Sequence, residues 1–279
     1  MFLLLAAAPR GAVAQDATNA APEEGHGYFA DWFARVTRIQ SEQPHWITPM
    51  TTVTPRLEEE LRFDQSWERN NKQNEVTAYG SGKGLELIPY DNIEVILGIP
   101  SWQNYNKQSA NDGFADDTFL LKYRILSGNE ENGNYILTGF LGLSVPSGKQ
   151  QLTLDHYIIT PTVAAGKGLG DFDIQTTVGI SIPDNGATTD GYGTPLQINT
   201  ALQYRLLKVL WPEVEINYTY WSDGEHEGKN QVFVSPGFIM GRFPIWNRVA
   251  ATFGVAYQVA LTDSPTFNHN FILSMRIPF

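Results

Sequence analysis

The chain has 279 residues, a formal net charge of -11 at pH 7, and a composition that is 42% hydrophobic but only 18% charged. This length allows a sizeable core, whereas the acidic balance argues against a nucleic-acid partner, and the absence of cysteine excludes disulfides and thiolate metal sites. Abundant glycine and aromatic residues favour β structure, and beyond the N-terminus no apolar run reaches the roughly 18 residues of a membrane-spanning helix.

The first residues form an apolar run that ends in Ala12-Val13-Ala14, which is the small-residue pattern of a signal cleavage site. A basic region before this run is missing, so we expect residues 1–14 to be a signal peptide truncated at its start. The alternative is a short apolar N-terminus without a targeting role. Residues 15–27 are rich in Ala, Asn, Glu and Pro and lack periodicity, which predicts a flexible lead.

Between Tyr28 and Ile39, apolar residues recur at spacings of three and four, which predicts a short amphipathic helix. Three prolines between Gln43 and Pro55 end it. Residues 15–55 therefore form an N-terminal segment that precedes the main domain. Two placements remain open: a periplasmic helix packed under that domain, or a plug that enters it. The candidate plug residues are Phe29, Trp32, Phe33 and Val36.

From residue 56 to residue 279 the hydrophobic period becomes two, as in half-buried strands. The predicted strands are 57–67, 76–88, 93–99, 118–126, 135–145, 157–167, 172–182, 196–206, 213–221, 231–241, 248–261 and 270–279. Three glycines leave the face assignment of residues 76–88 open. Short and longer connections alternate. The pattern predicts an all-β domain, a closed antiparallel transmembrane β-barrel of about twelve strands.

The last ten residues, NFILSMRIPF, alternate apolar and polar side chains and end in Phe279. This strand resembles the terminal strand of bacterial outer-membrane barrels, which implies that the barrel-assembly machinery reads Phe279. We expect it to pair with the strand at residues 57–67 and close the barrel. Arg276 is then expected to meet Glu58 or Glu60 across the seam.

Soluble sandwiches and barrels also alternate, so a membrane assignment needs further features. The strands are uniformly long, their apolar faces carry almost no charge, and aromatic residues lie near strand ends, where interfacial girdles form. These aromatic residues are Trp67, Tyr157, Tyr204, Trp211, Tyr218, Trp246 and Tyr257. The predicted location is the lipid bilayer of the bacterial outer membrane.

If the apolar faces meet lipid, the opposite faces line the lumen, and their charges fall in its periplasmic half. This predicted charge belt comprises Glu58, Glu60, Arg62, Glu94, Lys122, Arg124, Asp173, Arg205, Glu213, Glu215, Arg248 and Arg276. Neighbouring members often have opposite signs. The belt is interpreted either as a salt-bridge network that stabilises the wall or as a selectivity constriction for solutes.

Three stretches carry a more specific resemblance: GKGLELIPYDNIEVILGIPSW at residues 82–102, DDTFLLKY at residues 116–123, and SVPSG at residues 144–148. They resemble the outer-membrane transporter family named for the MetA pathway of phenol degradation. The resemblance covers about the first half of the barrel. It implies a barrel that passes small or hydrophobic compounds and whose lumen an N-terminal segment plugs.

The function predicted from these observations is a porin-like channel for passive uptake of small solutes, including hydrophobic or aromatic compounds. The chain is not expected to be an enzyme, and no cofactor, metal site or nucleic-acid partner is predicted. One alternative is a barrel hydrolase that uses loop residues. Its candidates are Asp155, His156, Asp223, His226 and His269. A second alternative is a structural barrel with a filled lumen.

Overall fold

The structure, a computed structural model, describes residues 27–70, 74–80, 83–106, 111–150, 152–184, 192–263 and 265–279. The predicted signal peptide, 1–14, and residues 15–26 of the predicted lead lie outside the described residues. Helix α1 spans Trp32–Ser41, rather than beginning at Tyr28, because residues 28–31 form turns. No helix in the described part of the chain has the length and apolar character needed to span a bilayer.

In these ranges the chain continues with sixteen strands and a short 3-10 helix, η1 (Glu130–Asn132). The strands are β1 (Glu60–Arg69), β2 (Glu75–Tyr79), β3 (Gly84–Tyr90), β4 (Ile93–Leu97), β5 (Trp102–Tyr105), β6 (Gly113–Phe114), β7 (Asp117–Gly128), β8 (Tyr135–Val145), β9 (Ile158–Leu169), β10 (Phe172–Ile180), β11 (Ile182–Pro183), β12 (Pro195–Tyr204), β13 (Leu210–Trp221), β14 (Asn230–Trp246), β15 (Val249–Ala260) and β16 (His269–Pro278).

The strands close into one antiparallel barrel. Four short strands extend their neighbours, so that β2 with β3, β4 with β5, β6 with β7 and β10 with β11 each form one strand of the wall, which gives twelve in all. Closure occurs between β1 and β16, where Trp67 lies opposite Phe271 and Arg62 opposite Arg276. The predicted barrel, its strand number and the pairing of its first and last strands are confirmed.

The segment whose face was left open, residues 76–88, divides into β2 and β3. Gly80 and Gly84 have φ values of +82° and +83°, a backbone conformation that favours glycine, and they flank the break. On both sides of the break the even-numbered residues face inward: Ala78, Glu86 and Ile88 are buried. Even-numbered residues therefore form the inward face in both β2 and β3.

The barrel is polar inside and apolar outside. Phe63, Leu121 and Val163 are among many large apolar side chains exposed on its outer surface. Charged residues such as Lys122 and Glu215 are fully buried within it. This is the reverse of a water-soluble domain, and an apolar exterior of this extent requires lipid.

One predicted girdle residue is placed wrongly by the sequence argument. Trp67, Tyr157, Tyr204, Trp246 and Tyr257 have exposed side chains, but Trp211 is only 5% exposed. In β13 the odd-numbered residues face inward, as the burial of Glu213 and Glu215 demonstrates. Trp211 shares their parity and therefore packs inside the barrel.

Short turns lie at the barrel end that carries both Glu60 and Phe279, and helix α1 crosses this short-turn end. Arg38 of α1 forms an ion pair with Asp91 in the β3–β4 turn at 2.7 Å. Arg248, in the β14–β15 turn, donates a hydrogen bond to Thr37 and lies 5.1 Å from the ring centroid of Phe33. The helix is thereby fixed to two separate turns of the rim.

The inner face of α1 packs on apolar side chains. Val36 and Ile39 are fully buried against Leu57 and Ile88. Leu57 was predicted to face lipid from the first strand, but β1 begins only at Glu60, so Leu57 precedes the wall and turns towards the helix. Burial raises the pKa of Glu59, although the hydrogen bond from Trp32 of α1 opposes this shift.

Replacing Ile39 with alanine is expected to loosen α1, because a buried isoleucine-to-alanine change costs about 2–5 kcal/mol. Cleavage at Arg35 or Arg38 by trypsin, added to the folded barrel in detergent, should become faster than in the parent chain. The control is Ala34→Gln, at an exposed position of α1, which leaves both the buried face and the contacts with the rim intact. Equal cleavage rates for Ile39→Ala and the parent would contradict the packing role.

Candidate functional site

After α1 the chain enters the barrel as a loop, residues 43–57, which we call the lumen loop. Its two ends meet: Gln43 Nε2 donates to the Leu57 carbonyl at 2.8 Å, and the Leu57 amide donates to Gln43 Oε1 at 2.9 Å. Prolines at 44, 49 and 55 exclude a regular helix. A long excursion with adjoining ends has the form of an Ω-loop.

The entry to the lumen loop is attached to the rim. Both the backbone amide and the ring Nδ1 of His45 lie 2.7 Å from the carboxylate oxygens of Glu130 in η1. Burial favours the neutral form of Glu130, but the hydrogen bonds from His45 outweigh it and lower the pKa of this carboxyl. The loop therefore begins at a fixed point.

Two glutamates of β13 bind the backbone amides at the tip of the lumen loop. The Met50 amide donates to Glu213 Oε1 at 3.2 Å. The amides of Thr51 and Thr52 donate to the two carboxylate oxygens of Glu215 at 2.6 and 2.5 Å. Buried amides need acceptors, and hydrogen bonds to charged groups are stronger than neutral ones.

Two arginines bind the carbonyls of the same tip. Arg276 donates to the Thr48 carbonyl and, at 3.0 Å, to that of Pro49. Arg62 donates to the Pro49 carbonyl at 3.2 Å and to that of Met50. We call Arg62, Glu213, Glu215 and Arg276 the clamp, since together they hold the backbone of the tip on both its donor and acceptor sides.

The returning arm of the lumen loop is bound by a different sector of the wall. Thr138 Oγ1 donates to the Pro55 carbonyl at 2.6 Å, and Lys122 Nζ donates to the Arg56 carbonyl at 3.0 Å. Thr54 Oγ1 donates to Gln175 at 2.7 Å. The loop is consequently anchored around most of the inner circumference.

Apolar contacts supplement these hydrogen bonds. Ile47 and Met50 pack in a buried cluster with Trp211, Ile239 and Ile272 on strands β13, β14 and β16. Contact with the loop therefore explains why the side chain of Trp211 points into the barrel, which the sequence argument missed.

Two glycines mark where the loop approaches the wall most closely. A Cβ atom on Gly254 of β15 would collide with the sulfur of Met50. A Cβ atom on Gly166 of β9 would collide with the ring of Trp46. Side chains at these two positions are incompatible with the loop as it is placed.

The structure places ten of the twelve predicted belt residues in the buried interior: Glu58, Glu60, Arg62, Glu94, Lys122, Arg124, Asp173, Glu213, Glu215 and Arg276. Arg205 lies in the turn after β12 and pairs with Asp171 at 2.8 Å, with 40% of its side chain exposed. Arg248 lies beside α1 in the turn before β15. Arg205 falls outside the lumen because β12 ends one residue before it, whereas Arg248, one residue before β15, lines the mouth of the lumen beside α1.

Arg276 does not form the predicted ion pair with Glu58 or Glu60. Its guanidinium binds loop carbonyls, and its position on β16 lies opposite Arg62 rather than an acidic residue. Close ion pairs occur elsewhere: Arg56–Glu58 at 2.8 Å, Arg62–Asp64 at 2.7 Å and Lys122–Glu94 at 2.8 Å. The belt therefore combines internal salt bridges with bonds to the loop.

Sequence reasoning missed several charged residues of the interior, among them Arg56, Asp64, Lys83 and Glu86. Asp64 and Glu86 share the even parity of Arg62 and Glu94, so the alternation could have identified them. Arg56 and Lys83 could not be found in this way, since one lies on the lumen loop and the other in the break between β2 and β3.

The four candidate plug residues lie at the mouth and not in the lumen. Phe29 is 82% exposed and Phe33 is 50% exposed. Val36 is buried on the inner face of α1, and Trp32 donates a hydrogen bond to Glu59. The helix thus packs under the barrel, while the segment that follows it enters. The periodicity of the helix carries no information about the segment that follows it, so it could not predict that residues 43–57 enter the barrel.

The histidines proposed for a hydrolase have separate surroundings. His156 lies 3.2 Å from Asp184, His226 packs on Trp221, and His269 stacks on Tyr257. Of the two acidic candidates, Asp223 accepts hydrogen bonds from Thr194, and Asp155 adopts a positive φ of 57°. In the described ranges, no three His, Cys, Asp or Glu side chains group as metal ligands.

Two cavities lie on opposite sides of the lumen loop. The outer cavity, of about 520 Å³, faces the long-loop end and is bordered by Met50, Thr51 and Val53. The inner cavity, of about 390 Å³, faces α1 and is bordered by Ile47 and Thr48. The loop therefore stands between the two halves of the lumen.

No protein-family model matches the sequence, and no curated protein matches it significantly. Among solved structures, an outer membrane channel from Pseudomonas putida F1 is similar with a TM-score of 0.54 at 13% identity, over 79% of this chain and 94% of that chain. The translocator domain of the autotransporter NalP from Neisseria meningitidis gives a TM-score of 0.44 at 9% identity, over 79% and 86% of the two chains.

At such low identity the first of these similarities concerns the fold, which is that of an outer-membrane β-barrel. The inverted polarity and the closed sheet lead independently to the same class. The protein is thus a β-barrel of the bacterial outer membrane. By the general organisation of such barrels, the short-turn end with α1 faces the periplasm.

Proposed function

We propose that this barrel is a channel for the passive movement of small solutes and that the lumen loop controls its opening. One observation carries the proposal: the loop separates two cavities that otherwise would join along the lumen. Passage requires neither a cofactor nor a reaction. The resemblance in residues 82–148 extends the proposal to small hydrophobic or aromatic compounds as candidate solutes.

The way the loop is held supports a movable obstruction. Its tip is bound by side chains, among them Glu215 and Arg276, and these can be released one by one. If the lumen only had to be filled permanently, large apolar side chains on the barrel wall could fill it without a loop. The charge belt thus acquires a second role beside wall stabilisation, as the anchor of a gate.

A reversible cross-link tests this function directly. Thr51 Oγ1 donates to Asn217 Oδ1 of β13 at 3.1 Å, so cysteines at these two positions should form a disulfide that fixes the tip to the wall. The native chain has no cysteine, and the pair is therefore unambiguous. The measurement is ion conductance in planar bilayers before and after reduction.

We expect openings to disappear in the oxidised Thr51→Cys/Asn217→Cys protein and to return after reduction. The single variant Thr51→Cys is the control and should not respond to oxidant. Conductance that persists unchanged in the oxidised pair would contradict gating by the loop. Absence of conductance in every form, including the reduced pair, would favour a structural barrel with a filled lumen.

A further inference from the structure

A row of hydrogen-bonded side chains with no net charge begins with Gln258 at the outer cavity and continues across the inner wall of the barrel; we call it the amide row. Gln258 Nε2 donates to Asn217 Oδ1 at 3.0 Å, and Asn217 Nδ2 donates to Asn199 Oδ1 at 3.0 Å. Asn199 Nδ2 in turn lies 3.4 Å from Thr177 Oγ1. The row runs from β15 through β13 and β12 to β10. It presents both donors and acceptors along one side of the lumen.

Uncharged polar side chains also line the other side of the outer cavity. Ser66, Ser144, Thr160 and Asn270 border it with hydroxyl and amide groups. Asn270 is buried, and its Oδ1 atom makes no hydrogen bond within the structure. A buried acceptor of this kind is available to a hydroxyl donor that enters the cavity.

The charges around the outer cavity cancel. Arg62, Asp64, Glu68 and Lys83 border it, two of each sign. Arg62 and Asp64 are paired at 2.7 Å, and Lys83 lies 3.8 Å from Glu86. An anion would therefore leave its water shell without meeting an unbalanced positive charge, which is costly.

Apolar side chains complete the cavity. Val53 and Leu120 border both the 520 Å³ outer cavity and a smaller adjoining one of about 140 Å³ that reaches the amide row at Asn199 and Thr177. Sites for small molecules commonly combine apolar walls with a few convergent polar groups in this size range. Carbohydrate rings match such a lining, because they carry hydroxyls at their edges and C–H groups on their faces.

We propose that the outer cavity binds a neutral, polyhydroxylated small solute, of the class of sugars and polyols, in preference to the hydrophobic or aromatic compounds that the resemblance in residues 82–148 implies. The inference rests on the proposed channel function for the solute's passage, but binding itself can be measured without transport. The probes are glucose, the anion gluconate and the apolar molecule toluene. Saturation-transfer difference NMR on the full detergent-solubilised barrel reports their binding.

Glucose is expected to bind, and gluconate and toluene to bind more weakly. Replacing Gln258 with leucine removes one member of the amide row without touching the lumen loop and should weaken glucose binding about two- to tenfold, the value of one hydrogen bond. Asn270→Leu, which removes the unpaired acceptor at the edge of the outer cavity, should have at least the same effect. The control is Thr176→Val, which removes a hydroxyl from the lipid-facing side of β10, where it meets Thr200.

Preferential binding of toluene or gluconate would overturn this inference, as would glucose binding that Gln258→Leu and Asn270→Leu leave unchanged. The fast migration of the unboiled barrel on an SDS gel verifies that each variant is folded. Conductance gated by the loop without glucose binding would refute the solute class alone. Glucose binding without any conductance would refute the channel and retain the cavity site.

Discussion

Replacing Arg62 and Arg276 together with alanine is expected to raise single-channel conductance several-fold and to lengthen the open periods. The two guanidiniums supply four hydrogen bonds to the carbonyls of residues 48–50. Hydrogen bonds to charged groups contribute about 1.5–3 kcal/mol each. Their combined loss exceeds the about 5.5 kcal/mol that shifts a two-state equilibrium from 1:99 to 99:1.

Arg205→Ala is the matched control for this pair. It removes a guanidinium at the same end of the barrel, but one that is exposed and paired with Asp171 outside the lumen. Its conductance should equal that of the parent chain. If Arg205→Ala opened the channel as strongly as the double variant, a general electrostatic effect would replace the clamp as the explanation.

A second variant reaches the same result without removing any charge. Leucine at Gly254 should displace Met50 and with it the tip of the lumen loop, because even a Cβ atom there collides with the methionine sulfur. Leucine at Gly139 is its control, since a Cβ atom at that position comes no closer than 4.0 Å to the side chain of Ile125. Gly254→Leu channels should open more often than Gly139→Leu channels in the same bilayer assay.

The second large effect concerns stability. Lys122 is 0% exposed, and its ammonium group lies 2.8 Å from Glu94 and 4.0 Å from Glu86. Lys122→Met is expected to destabilise the barrel by about 3–5 kcal/mol, because it leaves the buried carboxylate of Glu94 without its cation and removes one of the two lysines beside Glu86. The measurement is the urea concentration at which the heat-modifiable, folded band disappears from an SDS gel.

Removing Glu94 as well should restore most of this loss. In Lys122→Met combined with Glu94→Gln, the close ion pair is removed as a whole, which is often near neutral, and Glu86 keeps Lys83 at 3.8 Å. Lys167→Met, at an exposed lysine that bonds to the Gly133 carbonyl, is the control and should stay within about 0.5 kcal/mol. A double variant as unstable as the single one would show that Lys122 acts through packing.

Much of the barrel could be predicted because one rule governs it. In a strand the side chains alternate strictly, and lipid outside with water inside makes the alternation visible in the sequence. The inward placement of Glu94, Lys122 and Glu215 follows from that parity. The same rule fails at strand ends, where it assigned Arg205 to the lumen although it belongs to a turn.

The lumen loop could not be predicted, and the reason is physical. Its backbone finds its hydrogen bonds on side chains more than a hundred residues away, such as Glu215 and Arg276, and no local periodicity records such pairs. The one visible trace was a negative signal, three prolines that prevent helix and strand alike. The sequence argument placed Trp211 on the outer surface because the loop against which it packs inside the barrel was not predicted.

The clamp recognises peptide groups and not side chains, and this has a consequence for sequence change. Amides and carbonyls of residues 48–52 are common to nearly all amino acids, so side chains there other than Met50, which also packs on the wall, can change while the tip stays held by Arg62, Glu213, Glu215 and Arg276. Residues 48–52 are therefore a suitable place to engineer a new solute selectivity without changing the clamp.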